Sequence, residues 1–146
     1  MSSSRSTAAS SAFRRPGAGG GLTRTERLLF TNEHAVLEAV LGKHDEALRL
    51  SERGLSLAAR SRSPEVREIV LNLHATRANV AVRRFRFPEA IRELETALET
   101  AAAIGSPGNR AKVLNNLGVV LGQCDRYAEA IAAFRQRALN PDHPVL

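Results

Sequence analysis

Hydrophobic and polar residues follow a helical pattern along most of the chain. From Thr23 onward, apolar residues recur every three or four positions, which places them on one face of an α-helix. Residues 1–22 instead consist of Ser, Ala and Gly punctuated by Arg, and they offer almost nothing to bury. We therefore predict an all-α protein that is preceded by a disordered tail over residues 1–22.

A phrase of a small residue, a ring and another small residue occurs three times. The second small residue is always Ala, the ring lies three positions before it, and the first small residue lies twelve before it. The three copies are Ala35, His44 and Ala47; Ala78, Phe87 and Ala90; and Gly118, Tyr127 and Ala130. Small side chains let two antiparallel helices approach closely where they cross, whereas Leu would force them apart. Each copy thus predicts one pair of helices, with the ring packed over the crossing.

Ser-Pro dipeptides mark the boundaries between these pairs. Ser63-Pro64 and Ser106-Pro107 lie 43 residues apart, each at the same distance beyond a repeat alanine. A serine hydroxyl can cap a helix start, and Pro needs no hydrogen-bond partner at the first helical position. The predicted units are therefore repeat 1 over 23–62, repeat 2 over 63–105 and repeat 3 over 106–140, followed by a C-terminal tail over 141–146.

The third unit departs from the pattern at its end. Pro141 and Pro144 interrupt the second helix soon after Leu139, and Arg137 takes a place usually held by a small residue. Solenoids normally end in a polar capping helix, so the last pair should expose apolar surface. Two explanations stay open: the chain is a piece of a longer array, or it associates with itself through the uncapped C-terminal end.

The third copy resembles the tetratricopeptide repeat. It matches the family pattern at Leu114, Leu117, Gly118, Leu121, Tyr127, Ala130 and Phe134. The middle copy keeps Ala78, Phe87, Ala90, Leu94 and Ala97 but has His74 and Arg77 where aliphatic residues are usual, and the first copy is the weakest. The repeat length and the segment 114–119 are similar to the longer variety found in kinesin light chain. This resemblance implies a right-handed α-solenoid of three antiparallel helix pairs that binds a protein or peptide partner.

The resemblance also implies a peptide-binding groove along the first helix of each pair. The family's groove positions correspond here to Asn72, Ala75, Asn79, Val82 and Arg83, and to Lys112, Asn115, Asn116, Val119 and Gln123. Asparagine suits such a groove because its amide both donates to and accepts from a peptide backbone. The alternative is a solvated helix face. Asn79, Lys112 and Asn116 match three positions of a carboxylate clamp that some family members use, but Ala75 stands where a lysine is needed.

A cluster of arginines near the end of the first helix of repeat 2 has two interpretations. Arg77, Arg83, Arg84 and Arg86 could favour an acidic peptide through charge-assisted hydrogen bonds. The alternative is a solvated helix end, because cations also suit a helix C-terminus.

Composition and charge narrow the function classes. The chain has 43% hydrophobic but only 4% aromatic residues, which suits packed helices. Its net charge is +6, and four arginines precede the first acidic residue, Glu26. The remaining chain is nearly neutral, which disfavours a nucleic-acid-binding face. A weak RNA or anionic-surface binder through the Arg-rich regions is kept as an alternative.

Candidate chemistry is sparse. His34, His44, His74 and His143 show no metal-ligand spacing, and the carboxylate of Asp125 disfavours a reactive thiolate at Cys124. We predict no metal site, no cofactor and no enzymatic activity. The single cysteine excludes an internal disulfide, and no apolar run reaches the roughly 18 to 20 residues that span a bilayer.

The sequence thus predicts a non-catalytic protein-binding adaptor without a membrane partner. A cytoplasmic location is the default, although the Ser- and Arg-rich tail would also suit an organelle transit peptide. The second functional reading is a regulatory or sensor module of a larger signalling or transcription-regulating protein.

Overall fold

The structure, a computed structural model, describes residues 21–139 and contains six α-helices in this range. They are α1 (Arg24–Val40), α2 (His44–Ala58), α3 (Pro64–Arg83), α4 (Phe87–Ile104), α5 (Pro107–Gln123) and α6 (Tyr127–Ala138). No strand occurs among the described residues, and the all-α prediction is confirmed. The two predicted tails lie outside the described residues, except for Gly21 and Leu22, which are exposed and not helical.

Consecutive helices pack as pairs, α1 with α2, α3 with α4 and α5 with α6. The small residues of the repeated phrase are buried in all three pairs. Space at the crossing is tightest at Gly118, where an added Cβ would come within 2.6 Å of Cε1 of Phe134. Ala78 and Ala90 belong to the same core cluster. The prediction that small residues allow close crossings is therefore confirmed.

The pairs stack in chain order through α2 against α3 and α4 against α5, with a further contact between α1 and α3. Leu28, Leu50 and Leu73 belong to the core cluster of the first junction, where Gly54 leaves room for Leu73, because an added Cβ would approach Cδ1 of Leu73 to 2.8 Å. A larger cluster from α3, α4, α5 and α6 forms the second core. The result is an α-solenoid in which each pair buries its apolar face against its neighbours.

Helices α3 and α5 begin at the prolines of the two Ser-Pro dipeptides, as predicted, but only one of the two serines makes the predicted capping hydrogen bond. Pro64 and Pro107 are the first residues of α3 and α5. The Ser106 hydroxyl accepts a hydrogen bond from the Asn109 backbone N–H at 3.3 Å. The corresponding prediction for Ser63 is wrong, because its side chain makes no capping bond. The backbone N–H of Ser63 instead donates to the Ser61 hydroxyl at 3.2 Å, so a local turn orders this helix start.

The ring residues of the phrase behave differently in the three turns. Phe87 packs against the larger core, and the ring of His44 accepts a hydrogen bond from Nε of Arg84 at 3.3 Å. The prediction is wrong for Tyr127, which is 61% exposed. Its hydroxyl donates to Oδ1 of Asp125 at 2.8 Å, and this bond holds the ring at the surface of the turn.

Two kinds of connection join the helices. The turn within each pair has one residue with positive φ at the same repeat position: Gly42 at 79°, Phe85 at 58° and Asp125 at 62°. The connection from α2 to α3 covers residues 59–63, and Ala59, Arg60 and Arg62 are exposed there.

The last helix is the shortest and the least buried. It contains 12 residues, of which only Ala130 and Ala133 are buried. Leu139, just after the helix, is 82% exposed. Within residues 21–139, none of the helices combines the length and the hydropathy that crossing a bilayer would require.

Candidate functional site

A cavity of about 610 Å³ opens along the first helix of each pair, between α1, α3 and α5. We call it the groove. Its walls combine amide side chains with small and β-branched apolar residues. The lining residues are Asn32, Glu33, Val36, Asn72, Ala75, Thr76, Ala78, Asn79, Val82, Leu94, Asn116, Val119, Val120 and Gln123.

Four asparagines from three helices meet in this groove. Asn72 and Asn79 on α3 and Asn116 on α5 are exposed on its walls, so their amides are accessible to a ligand. Asn32 on α1 is only 5% exposed, and its Oδ1 is buried without a hydrogen-bond partner. Leaving a buried acceptor unsatisfied costs about 1–3 kcal/mol.

Apolar side chains lie beside these amides in the groove. Val36 on α1 and Val119 on α5 are partly exposed, at 38% and 46%, and Val82 on α3 is half-buried. Val36 and Val119 share the repeat position of Asn79, one residue after the first small residue, and Val82 lies three residues beyond Asn79 on α3. A ligand can therefore bury side chains on the valines while its backbone reaches the asparagines.

The groove is nearly free of charge. Glu33 is the single ionisable residue among those that line it. None of the lining residues is a cation, so the groove has no group that would pair directly with a carboxylate. Asn79 and Asn116, two residues of the incomplete clamp, do line the groove, whereas Lys112 does not.

The structure brings together some of the predicted groove residues and separates others. Asn72, Asn79, Asn116 and Val119 line the groove, as do Ala75, Val82 and Gln123. Arg83 and Lys112 are exposed but lie outside its lining.

Asn115 faces away from the groove toward α6. Its Oδ1 accepts a hydrogen bond from Nη1 of Arg137 at 3.0 Å. One residue along a helix turns a side chain by about 100°. Asn115 and Asn116 consequently have different surroundings although they are identical and adjacent.

Sequence reasoning missed the contribution of α1 to the groove, and also Thr76 and Ala78 on α3, Leu94 on α4 and Val120 on α5. Asn32, Glu33 and Val36 line the groove, but the first copy matches the repeat pattern too poorly for the family's groove positions to be assigned to it. Counting from the first small residue of each copy would have found them. Asn32 lies three positions before Ala35, as Ala75 does before Ala78. Thr76 lies two positions before Ala78, and the predicted groove residue Asn116 lies two positions before Gly118.

The arginine cluster of repeat 2 lies elsewhere and is partly used in packing. Nε of Arg77 donates to Oε2 of Glu93 at 3.0 Å, and Nδ1 of His74 lies 2.8 Å from Oε1 of the same carboxylate. Arg84 pairs with the exposed Asp45 of α2 at 2.6 Å, across the first junction. Arg83 and Arg86 are exposed.

The pKa values of the two carboxylates reflect these pairs. Burial would raise the pKa of Glu93, but hydrogen bonds from His74 and Arg77, reinforced by their charges, outweigh it and lower this pKa. The hydrogen bond from Arg84, together with its charge, lowers the pKa of Asp45. Both carboxylates are thus held in their ionised form by groups on a neighbouring helix.

Comparison with known proteins agrees with this architecture. The sequence model of the tetratricopeptide repeat matches residues 69–140, which cover most of α3 and all of α4, α5 and α6. No curated protein matches the sequence.

The described residues contain no group of three His, Cys, Asp or Glu side chains that could hold a metal ion. Repeats of this family are typically non-catalytic and bind other proteins. Residues 69–140 therefore form a tetratricopeptide repeat region.

Proposed function

We propose that this protein is a non-catalytic scaffold whose groove binds an extended segment of a partner protein. The observation that carries the proposal is the convergence of four asparagines from α1, α3 and α5 on one cavity. One of them, Asn32, has a buried Oδ1 without a partner. A peptide backbone provides both N–H donors and C=O acceptors in regular alternation, and the asparagine amide can meet either.

The chemistry of the groove also indicates which segments it selects. Backbone hydrogen bonds give affinity without regard to sequence, whereas pockets for individual side chains give specificity. Val36, Val82 and Val119 favour small or medium apolar side chains. Glu33 favours a segment that is neutral or carries a cation, and it disfavours an acidic segment.

This selectivity differs from the acidic ligand that the arginine cluster suggested. Arg77 and Arg84 already pair with Glu93 and Asp45, so recruiting them to a ligand would break contacts between helices. None of the four arginines lines the groove. We therefore place the partner segment among the asparagines and not on the cluster.

A pulldown with mass spectrometry, followed by titration of a peptide from the recovered partner, tests the proposal. The variant carrying Asn79→Ala and Asn116→Ala loses two amides that face the groove. We expect its affinity to fall by about thirtyfold, since two hydrogen bonds of about 1 kcal/mol each are removed. Isothermal titration calorimetry measures the loss.

Asn115→Ala is the matched control, because it removes the same amide from the adjacent position, which faces α6. Its affinity should equal that of the unchanged protein, provided that circular dichroism shows a folded chain. A partner that binds the double variant as tightly as the unchanged protein would contradict the groove as the binding site. Loss of binding in the Asn115 variant alone would point to the α6 side instead.

A further inference from the structure

The outer side of α1 exposes apolar residues, two of them at positions that are buried in the other first helices. Phe30 and Leu37 on α1 and Leu41 just after it are 65%, 54% and 58% exposed, and we call these three residues the α1 end face. Phe30 lies five positions before the repeat residue Ala35, and Leu37 lies two after it. The residues at these positions in α3 and α5 are Leu73 and Val80, and Val113 and Val120, which are at most 5% exposed.

In α3 and α5 these positions are covered by the second helix of the preceding pair. Val80 packs with Leu48 of α2, and Leu73 fills the space left by Gly54. At the next junction, Val120 and Ile91 of α4 belong to one core cluster. Leu48 and Ile91 are each the residue that follows the repeat alanine of the second helix. The junction of α2 with α3 and the junction of α4 with α5 therefore use the same repeat positions.

The opposite end of the array exposes the other half of this junction. Ile131 of α6 follows Ala130, at the position of Leu48 and Ile91, and it is 48% exposed. We call Ile131 and its exposed neighbour Ala128 the α6 end face. Within residues 21–139, no further helix follows α6 to cover it.

We propose that the α1 end face of one copy of this protein binds the α6 end face of another. The junction would repeat the contact that α3 makes with α2 and that α5 makes with α4. Leu37 takes the place of Val80 and Val120 and meets Ile131. Leu41, six positions after Ala35, replaces Arg84, and Ala128 replaces its partner Asp45. An ion pair of the internal junction is therefore exchanged for an apolar contact.

The residue at one repeat position of α6 differs from its counterparts in α2 and α4, and this difference also fits the proposed contact. Arg137 stands where α2 has Gly54 and α4 has Ala97, so the space that receives Leu73 in the internal junction is already filled in α6. The residue that arrives there from α1 is the aromatic Phe30. A ring over a guanidinium group is a favourable arrangement, and Arg137 already lies 5.9 Å from the Phe134 ring centroid. Its Nε is buried without a hydrogen-bond partner.

The two end faces differ, so the contact is head to tail. Head-to-tail contacts leave one face of each kind unused at the ends of every assembly, and they add further copies unless a ring closes. The protein should therefore form a concentration-dependent series of species and not a single dimer. This inference does not depend on what the groove binds.

Sedimentation velocity on the full chain, from about 1 μM to about 300 μM, tests the proposal, a range that spans weak association. The weight-average mass should rise to more than about twice the 15.8 kDa of the monomer. Leu37→Asp disables one end and Ile131→Asp disables the other, and each variant alone should stay monomeric. An equimolar mixture still contains one intact face of each kind and should form a 1:1 dimer and nothing larger.

Phe85→Asp is the matched control. It removes an apolar side chain that is 80% exposed but lies in the turn between α3 and α4, so it should associate like the unchanged protein. A second pair of variants, Phe30→Glu and Ala128→Glu, repeats the test in case one of the first pair does not fold by circular dichroism.

Three results would overturn the proposal. The first is an unchanged protein that is monomeric over the whole range. The second is association that survives Leu37→Asp and Ile131→Asp alike. The third is an Ile131→Asp variant that dimerises alone while Leu37→Asp does not, which would mean that two α1 faces pair with each other.

Discussion

Single side chains of this protein take their roles from their position in the repeat and not from their type. Asn115 binds Arg137, while its neighbour Asn116 lines the groove. In the same way, Arg77 binds Glu93 on α4, whereas Arg83 on the same helix is exposed. The amino-acid composition therefore cannot show which asparagines line the groove or which arginines form ion pairs between helices.

Glu93 makes stability dependent on pH. Hydrogen bonds from His74 and Arg77 lower its pKa below the ordinary value of 4.5 in spite of burial. A carboxylate whose pKa is lower in the folded state stabilises the fold above the unfolded pKa. This contribution is lost as the pH falls through the folded pKa. Glu93→Gln should therefore cost about 1–3 kcal/mol at neutral pH, and the difference should fade as the pH falls below 4.5.

Urea unfolding of both proteins between pH 7 and about pH 3 measures this difference. Glu52→Gln is a suitable control, because Glu52 is an exposed glutamate of α2, and it should change stability little at any pH. A constant difference between the Glu93 variant and the unchanged protein across this range would show that ionisation of Glu93 does not contribute.

At the scale of helices, the close crossings determine which residues are tolerated. Gly118 and Gly122 lie one turn apart on α5, but only Gly118 faces a neighbour. A Cβ at Gly118 would come within 2.6 Å of the Phe134 ring, and a Cβ at Gly122 would have nothing within 4 Å. The same methyl group is thus added against the ring of α6 in one case and into open space in the other.

Gly122→Ala should raise the free energy of unfolding by about 0.5–1 kcal/mol, because Ala loses less conformational entropy in a helix. Gly118→Ala should be less stable than Gly122→Ala by about 1–3 kcal/mol, since the Phe134 ring must move. Denaturant unfolding compares the two variants directly. Equal free energies of unfolding for the two variants would mean that the Phe134 ring moves at little cost and that the crossing at Gly118 is not tight.

The sequence predicted most of this helical arrangement and part of the groove. The spacing of small residues predicted three helix pairs, and Pro64 and Pro107 marked two helix starts. The family pattern indicated groove residues on α3 and α5 but none on α1, because the first copy follows that pattern poorly.

The failures at Ser63 and Tyr127 both occur where polar groups bond within a turn. The backbone N–H of Ser63, and not its hydroxyl, bonds to the Ser61 hydroxyl, and the Tyr127 hydroxyl donates to the Asp125 carboxylate. Repeat spacing describes packing between helices, and it does not resolve competition among polar groups within a turn.

The whole molecule is an array in which burial depends on having neighbours on both sides. The middle helices α3 and α4 contact a pair before or after them, whereas α6 buries only Ala130 and Ala133. Arrays of this kind open locally from their weakest unit. Stability should accordingly be uneven along the chain.

Hydrogen exchange measured by mass spectrometry in dilute solution should show this gradient. We expect the amides of α6 to exchange fastest among the six helices and those of α3 and α4 to exchange slowest. Protection of α6 should increase with protein concentration if a second copy covers Ile131. Protection of α6 equal to that of α3 in dilute solution would contradict the gradient.

The connection at residues 59–63 has a practical consequence. It places Arg60 and Arg62 in an exposed segment between the first two pairs, where trypsin could cleave without entering a helix. The resulting fragments would keep complementary surfaces, with Leu28 and Leu50 on one and Leu73 on the other. This loop is therefore the natural place to divide the protein into two halves that reassemble, for example as a split reporter of binding in the groove.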